Sequence, residues 1–518
     1  MNKKLLLFLI TISYSLTQFS VETSAAGNKK IFVMAHYMPW FQAPPVSNSW
    51  GWHWTMNHLN PNVIKSNGER EIASHFYPLT GPYDSQDKDI LEYQVLLMKL
   101  SGIDGVLVDW YGNENYNDYG IINQSTNALF NEIAKANLSF SIVYEDQTIK
   151  NMISGGHITS NQAIAYGQSA MNYLQSNWFA SNTYLKIDNR PVLLNFGPQY
   201  FTKSSDWENL FSGLTSVPLL FTEDNILLPI GAGAFPWPPM WKSNPSGILT
   251  QSALSDYLNQ FYSKSQNWSY RIGSAFPGFY DIYQEAGVSS SYGFLDSQNG
   301  STFQFTLQQA IIGKPNIIQL VTWNDYGEGT NIEPTVEYGY TYLEAVQNFV
   351  RTSIDTTFKF RNEDLRLPLR LYQLRKKYSS DSGVNSTLDK AFNLLVSDNV
   401  AGAKVLVDSL ETLTTVQNNN VGMPVEFSLG QNYPNPFNPT TTIRFSIPVE
   451  TFYGTSLQLI VLKVYDVLGR EVTTLVNKLL PAGNYSVDFD ADNLSSGVYL
   501  YRLEANDYVA TKKMILIK

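Results

Sequence analysis

Short apolar or β-branched runs recur through the first two thirds of the chain: "IFVMAHY", "GVLVDW", "SFSIVYE", "RPVLLNF", "VPLLFTE", "GAFPW", "RIGSAFPGF" and "NIIQLVTWN". Most are separated by stretches of helical periodicity. In "DKDILEYQVLLMKLSG", Leu91, Val95 and Met98, flanked by Ile90 and Leu97, trace an apolar face, and Gly102 is a natural stop. Eight candidate strands alternating with helices predict an α/β fold, a (β/α)8 TIM barrel. "GAFPW" is the weakest of the eight, because Gly and Pro disfavour a strand interior. An open doubly wound sheet is the alternative, but no strand is followed by a glycine-rich phosphate loop.

Beyond about residue 355 the texture changes. "NEDLRLPLRLYQLRKKYSS" and "STLDKAFNLLVSDNVAGAKVLVDSLETL" lack aromatic strands and read as helical, with Ser386 or Thr387 as the N-cap of the second stretch. Residues 356–416 are therefore expected to form a helical appendage or spacer, and 417–423 a polar linker. From 424 to 518, apolar and polar residues alternate between turn signals, as in "TTIRFSIP" and "SGVYLYRLEAND", which predicts a small antiparallel β-sandwich.

The first 26 residues read as a secretory signal peptide: two lysines, an apolar stretch from Leu5, then Ser24, Ala25 and Ala26 at a cleavage site. Thr11, Ser13, Ser15, Thr17 and Gln18 interrupt the apolar run before it could span a bilayer. No transmembrane segment is expected in the mature chain. Residues 27–355 then form the barrel domain. A length of 518 residues suits two or three domains. The net charge of −10 comes without a strong basic cluster, so nucleic acid is not an expected partner. With no cysteine there are no disulfides, thiolate metal sites or cysteine nucleophiles.

A barrel of this kind keeps its site at the C-terminal ends of its strands. His36, Tyr37 and Trp40 follow the first strand, Asp109, Trp110 and Tyr111 the second, Tyr144 and Glu145 the third, and Glu223 the fifth. Tyr280 follows the seventh, and "VTWNDYGEGTNIEP" (321–334) follows the last, carrying Trp323, Asn324, Asp325, Glu328 and Glu333. Trp54 joins them from "GWHW". A cleft rich in carboxylates and aromatic rings suits sugar chemistry, since rings stack on pyranose faces while acids and amides bind hydroxyls. Glycosidic hydrolysis needs two carboxyl roles whose pKa values the environment must separate. Glu333 is expected to cap the helical segment after it rather than to react.

The motifs "AHYMPWF", "GWHW", "GIDGVLVDWYG" and above all "WNDYGEGTNIEP" resemble glycoside hydrolase family 99 and its family 71/99-like relatives, from about residue 29 to 350. The resemblance implies an exported (β/α)8 enzyme cutting inside α-mannosidic glycans. It places the family's general acid/base on Glu328. Its first glutamate, implied to deprotonate the sugar's own 2-hydroxyl, falls on Asp325, one methylene shorter. The tail motifs "QNYPNPFNPTTTIRFSIP", "VYDVLGREV" and "SGVYLYRL" resemble the sorting domain of the type IX secretion system. That resemblance implies the secretion machinery as a partner and an address outside a Gram-negative cell or on its surface, reached through the periplasm.

The catalytic residues expected are thus Glu328 and Asp325, with the other named side chains binding a poly- or oligosaccharide. No cofactor is implied. His36, His53, His58 and His75 cluster in sequence, but their spacing fits no common zinc pattern. Two further readings stay open: a non-catalytic glycan-binding protein on a hydrolase-like barrel, and a related α-1,3-glucanase.

Overall fold

The structure is a computed structural model that describes residues 31–414, 426–448, 458–480, 483–505 and 508–518. The expected signal peptide and the 417–423 linker lie outside these residues. All eight expected strands form: β1 Phe32–Tyr37, β2 Gly105–Trp110, β3 Ser139–Tyr144, β4 Arg190–Asn195, β5 Leu219–Glu223, β6 Gly231–Phe235, β7 Ile272–Ala275 and β8 Ile317–Leu320. They pair in parallel in the order β6-β5-β4-β3-β2-β1-β8-β7, which is a barrel open at one seam, between β6 and β7. At that seam a Cβ on Gly233 would lie 2.6 Å from the Tyr270 carbonyl oxygen and 2.8 Å from the Phe221 ring. The glycines that weaken β6 as a sequence pattern are therefore what its surroundings require.

The helices α1 Lys88–Ser101, α2 Tyr119–Lys135, α3 Ala163–Leu174, α4 Ser204–Phe211, α5 Gln251–Ser265, α6 Ser301–Ile312 and α7 Thr341–Phe349 cover the barrel. The Asp87 carboxylate caps α1 by accepting from the Asp89 amide, and Gly102 ends it in the left-handed region at φ 81°. The crossover from β5 to β6 carries no helix among the described residues, only the short loop 224–230.

Successive side chains of a strand point to opposite sides of the barrel wall, and this parity sorts the aromatic residues. Tyr37, Val106, Val108, Trp110, Ile142 and Tyr144 pack outward with the helices in one cluster. Met34, Leu107, Val143, Leu194, Phe221 and Ile317 belong to a second. His36 and Asp109 share the parity of that second set and open at its upper end into the cleft.

The segment after the barrel forms α8 Leu367–Lys377, α9 Ser382–Val396 and α10 Val400–Thr414. The expected cap at Ser386 or Thr387 is corrected: both lie inside α9, whose N-cap is Asp381, accepting from the Val384 amide at 2.9 Å. Leu371, Leu374, Leu388, Leu395 and Val407 join the same core cluster as α1. Buried Arg375 grips buried Glu92 of α1 with two hydrogen bonds of 3.1 and 2.9 Å and reaches Asp389 at 2.7 Å. The helices thus buttress the barrel rather than trail from it.

The tail forms two antiparallel sheets. β9 Ser428–Leu429, β10 Thr440–Ile447 and β13 Gly483–Asp490 make one, and β11 Gln458–Tyr465, β12 Glu471–Leu480, β14 Gly497–Ala505 and β15 Tyr508–Leu516 the other. Ile443, Phe445, Ile460, Leu462, Tyr501 and Met514 fill its own core, as the alternation along the strands requires. Among the described residues no helix is long and apolar enough to cross a membrane.

Candidate active site

A cleft of about 640 Å³ opens at the C-terminal ends of the barrel strands. Of the expected residues, His36, Trp40, Asp109, Tyr111, Glu145, Asp325 and Glu328 line it. The walls are aromatic: Trp40 stacks on His53 at 4.1 Å, and Trp237 stands edge-on to both His36 and Phe196. Among the described residues, no lysine or arginine lines the cleft.

The acid loop after β8 is held by its own backbone. The Asp325 amide donates to Thr322 Oγ1 at 2.8 Å, and the Asp325 Oδ1 accepts from the Glu328 amide at 3.0 Å. The amides of Tyr280 and Ile282 donate to the carbonyls of Glu328 and Gly327 at 2.9 and 3.0 Å, pinning the loop to the one after β7. The glycines flanking Glu328 permit this approach. A Cβ on Gly329, at φ +65°, would lie 2.6 Å from the Tyr280 carbonyl oxygen, and one on Gly327 would meet Met56 at 3.1 Å.

The carboxyl groups here differ in what surrounds them. Burial lifts Asp325 to about 6, while hydrogen bonds from the Glu328 and Gly327 amides oppose the rise by favouring its ionised form. Glu328 is pushed well above the usual carboxylate range by burial, then by the charges of Asp325, Asp281, Glu145 and Glu223. Glu145, likewise buried, rises to about 7 beside Asp109. Asp109 is 2% exposed, with the Glu145 carboxyl as its neighbour. Burial and then the neighbouring Glu145 hold it well above its ordinary value, because two buried carboxylates side by side repel. His36 Nδ1 lies 3.1 Å from the Gln319 side-chain amide, and burial pushes the imidazole down to about 3, so it is neutral.

Several expected binding residues lie elsewhere. Tyr37, Trp110 and Tyr144 point outward by strand parity: Tyr37 donates to Gln94 at 2.7 Å, Trp110 to Asn123 at 3.0 Å, and the Tyr144 ring packs against Trp110 and Trp207. Trp54 is wholly buried, donating to the Tyr83 carbonyl at 2.7 Å against Phe41 and Tyr326. Trp323 is equally buried behind β1, its amide bound to the His36 carbonyl at 2.6 Å. Asn324 accepts from and donates to the Met38 backbone at 2.8 and 3.0 Å. Glu333 caps no helix and touches no cleft: it accepts from Tyr83, Tyr326 and Gln94 at 2.7, 2.8 and 2.7 Å. Tyr280 lies outside the cleft, stacked on His75 at 3.6 Å, and Glu223 lines an adjoining groove. Tyr37, Trp54, Trp323, Asn324 and Glu333 thus form the frame behind the acid loop, whereas Trp110 and Tyr144 pack among the outer helices.

Sequence reasoning passed over Tyr283, Gln147 and Gln199, all in the cleft wall. Burial, and then the neighbouring Glu328 and Asp325 carboxyls, raise Tyr283 far above a free tyrosine. Gln147 sits two residues beyond Glu145, a spacing that the third strand end could have flagged. Among the described residues, no group of three or more histidine or acidic side chains is arranged to hold a metal.

Residues 28–223 match the family model "Glycosyl hydrolase family 99", and 431–518 match "Secretion system C-terminal sorting domain". The chain is similar to the glycoprotein endo-alpha-1,2-mannosidase-like protein of Danio rerio, at 23% identity over 61% of this chain and 74% of that one. It is similar to the glycoprotein endo-alpha-1,2-mannosidase of Mus musculus at 21% identity, covering 59% and 68% of the two chains. Among solved structures, the GH99 endo-alpha-mannosidase from Bacteroides thetaiotaomicron is 19% identical, with a TM-score of 0.46 and coverage of 65% of this chain and 98% of that one.

Proposed function

We propose, from the premise that the chain is a glycoside hydrolase with a family 99 barrel and a secretion-system sorting domain, that it cuts internal α-linked bonds of a mannan-like glycan using Asp325 and Glu328. The observation that carries this reading is the unequal environment of the two acids. Backbone amides favour the carboxylate of Asp325, while burial and surrounding negative charge keep the proton on Glu328. That is the division hydrolysis needs: one base at the sugar and one acid at the leaving oxygen.

Glu328 gives its proton to the glycosidic oxygen as the C–O bond breaks, and Asp325 takes a proton from the sugar hydroxyl that attacks the anomeric carbon. Water then opens the resulting anhydro sugar, with Glu328, now ionised, acting as the base and Asp325 returning its proton. The neutral imidazole of His36 and the rings of Trp40, Tyr111 and Trp237 hold the sugar from the other side. A cleft with acids and no lysine or arginine favours a neutral glycan over a uronate or sulfated one. The sorting domain directs the chain to secretion or the outer surface, and we infer passage through the periplasm of a Gram-negative cell.

Product sizing on neutral α-mannans and α-glucans tests the reading. Release of oligosaccharides from the interior of α-mannan supports it. Products only from α-1,3-glucan would transfer the activity to a glucanase, and tight binding without any product would make the barrel a glycan-binding one.

A further inference from the structure

Beside the main cleft lies a second groove of about 430 Å³, lined by Gln199, Glu223, Asn225, Leu227 and Trp241. Gln199 and Trp241 line the cleft as well, so the two spaces are continuous across their side chains. The groove exists because the crossover from β5 to β6 is the short loop 224–230 where the other crossovers carry a helix.

Its walls are fixed before any ligand arrives. Tyr257 of α5 donates to Asp224 Oδ1, and Lys264 binds the Asp224 carbonyl and Asn225 Oδ1 at 2.6 and 2.9 Å. Trp241 rests its edge on Tyr257, with ring centres 5.8 Å apart and planes at 88°, yet is 58% exposed. Such an exposed, backed indole is a platform rather than core. Glu223 is half-buried at the groove, and its carboxyl makes no hydrogen bond or ion pair among the described residues. A ring to stack on, a carboxyl and an amide to bind hydroxyls, and no cation among the lining residues are the components of a neutral sugar site.

We propose that this groove is a further subsite, taking an additional neutral hexopyranose unit of the same glycan beyond those held in the main cleft. The proposal rests on the hydrolase reading for the identity of the glycan. A longer chain then passes over Trp241 and is held at both ends, and the enzyme prefers long substrates to short ones.

Calorimetric titration of full-length Glu328→Gln with neutral α-mannan oligosaccharides of increasing length tests this, with Trp241→Ala and, separately, Glu223→Gln added. The expected result is affinity that rises with length and a loss of about tenfold in the Trp241→Ala form on the longest oligosaccharide, the scale of an aromatic anchor, with a clearly smaller loss on the shortest. Glu223→Gln gives a loss in the same direction, which guards against a misfolded tryptophan variant. An equal loss at every length, or no dependence on length, overturns the subsite. Wild-type hydrolysis of α-mannan without any length preference discards the subsite alone. Length-dependent binding lost in Trp241→Ala, with no hydrolysis by the wild type, supports the subsite and removes the hydrolase reading.

Discussion

The backbone amide of Glu328 donates to the carboxylate of Asp325 at 3.0 Å. One residue of the pair thereby stabilises the charge of the other, while that charge in turn raises the proton affinity of Glu328's own side chain. The short side chain of Asp325 belongs to this turn: its oxygen reaches the amide three residues on because it has one methylene fewer than glutamate. Asp325→Glu should therefore displace the carboxylate from its donors. The expected cost is at least about tenfold in kcat, since misplacement of about 1 Å near reacting atoms can cost 10²-fold. Steady-state kinetics beside Asp325→Asn, which should lose more, checks this.

The pH profile of kcat/KM should be a bell. On the proposed roles Asp325 acts ionised, so activity should rise through about pH 6. On the same roles Glu328 acts protonated, so activity should fall only as pH passes its raised value. Glu145 contributes to that rise, so Glu145→Gln should move the alkaline limb to lower pH. A profile already falling through pH 6 would reverse the two roles.

Glu333 yields a stability prediction. Burial lifts it to about 7 in the folded chain, against an ordinary value near 4.5. The folded state therefore binds the proton more tightly, and the associated stability is full below about pH 4.5 and lost as pH rises to about 7. The melting temperature of the wild type relative to Glu333→Gln should decline across that window and level off above it. Because its oxygens accept from Tyr83, Tyr326 and Gln94, Glu333→Ala should cost more than about 3 kcal/mol by leaving buried donors unpaired.

Arg375 ties α8 to the barrel helix α1 through buried Glu92. Removing one partner of such a pair leaves a charge without compensation, so Arg375→Ala should destabilise by about 3–5 kcal/mol. The double variant Arg375→Met with Glu92→Leu should recover much of that loss in chemical denaturation.

The barrel was legible because eight apolar runs separated by helical periodicity leave few other folds, and the acid loop because its motif is specific. The wall of the cleft was only partly legible. Neighbours such as His36 and Tyr37, or Asp109 and Trp110, differ by one position in sequence and by the full thickness of the barrel wall in space. A strand-end inventory takes both, and only the strand's parity separates them. Glu333 and Asn324 read as substrate ligands because their motif is polar, yet their partners Gln94, Tyr83 and Met38 lie far away in the chain. Tyr283 was missed for the opposite reason: it reaches the cleft from a loop whose path follows from its pairing with Gly327 and Glu328, which no local pattern encodes.

The most direct measurement is the release of new reducing ends from neutral α-mannan by the full-length protein and by Glu328→Gln, with circular dichroism confirming that both are folded. Release by the wild type and a loss of about 10²–10⁴-fold in the variant, the range for removing a general acid–base group, are the expected result. A folded Glu328→Gln that retains wild-type activity would contradict it.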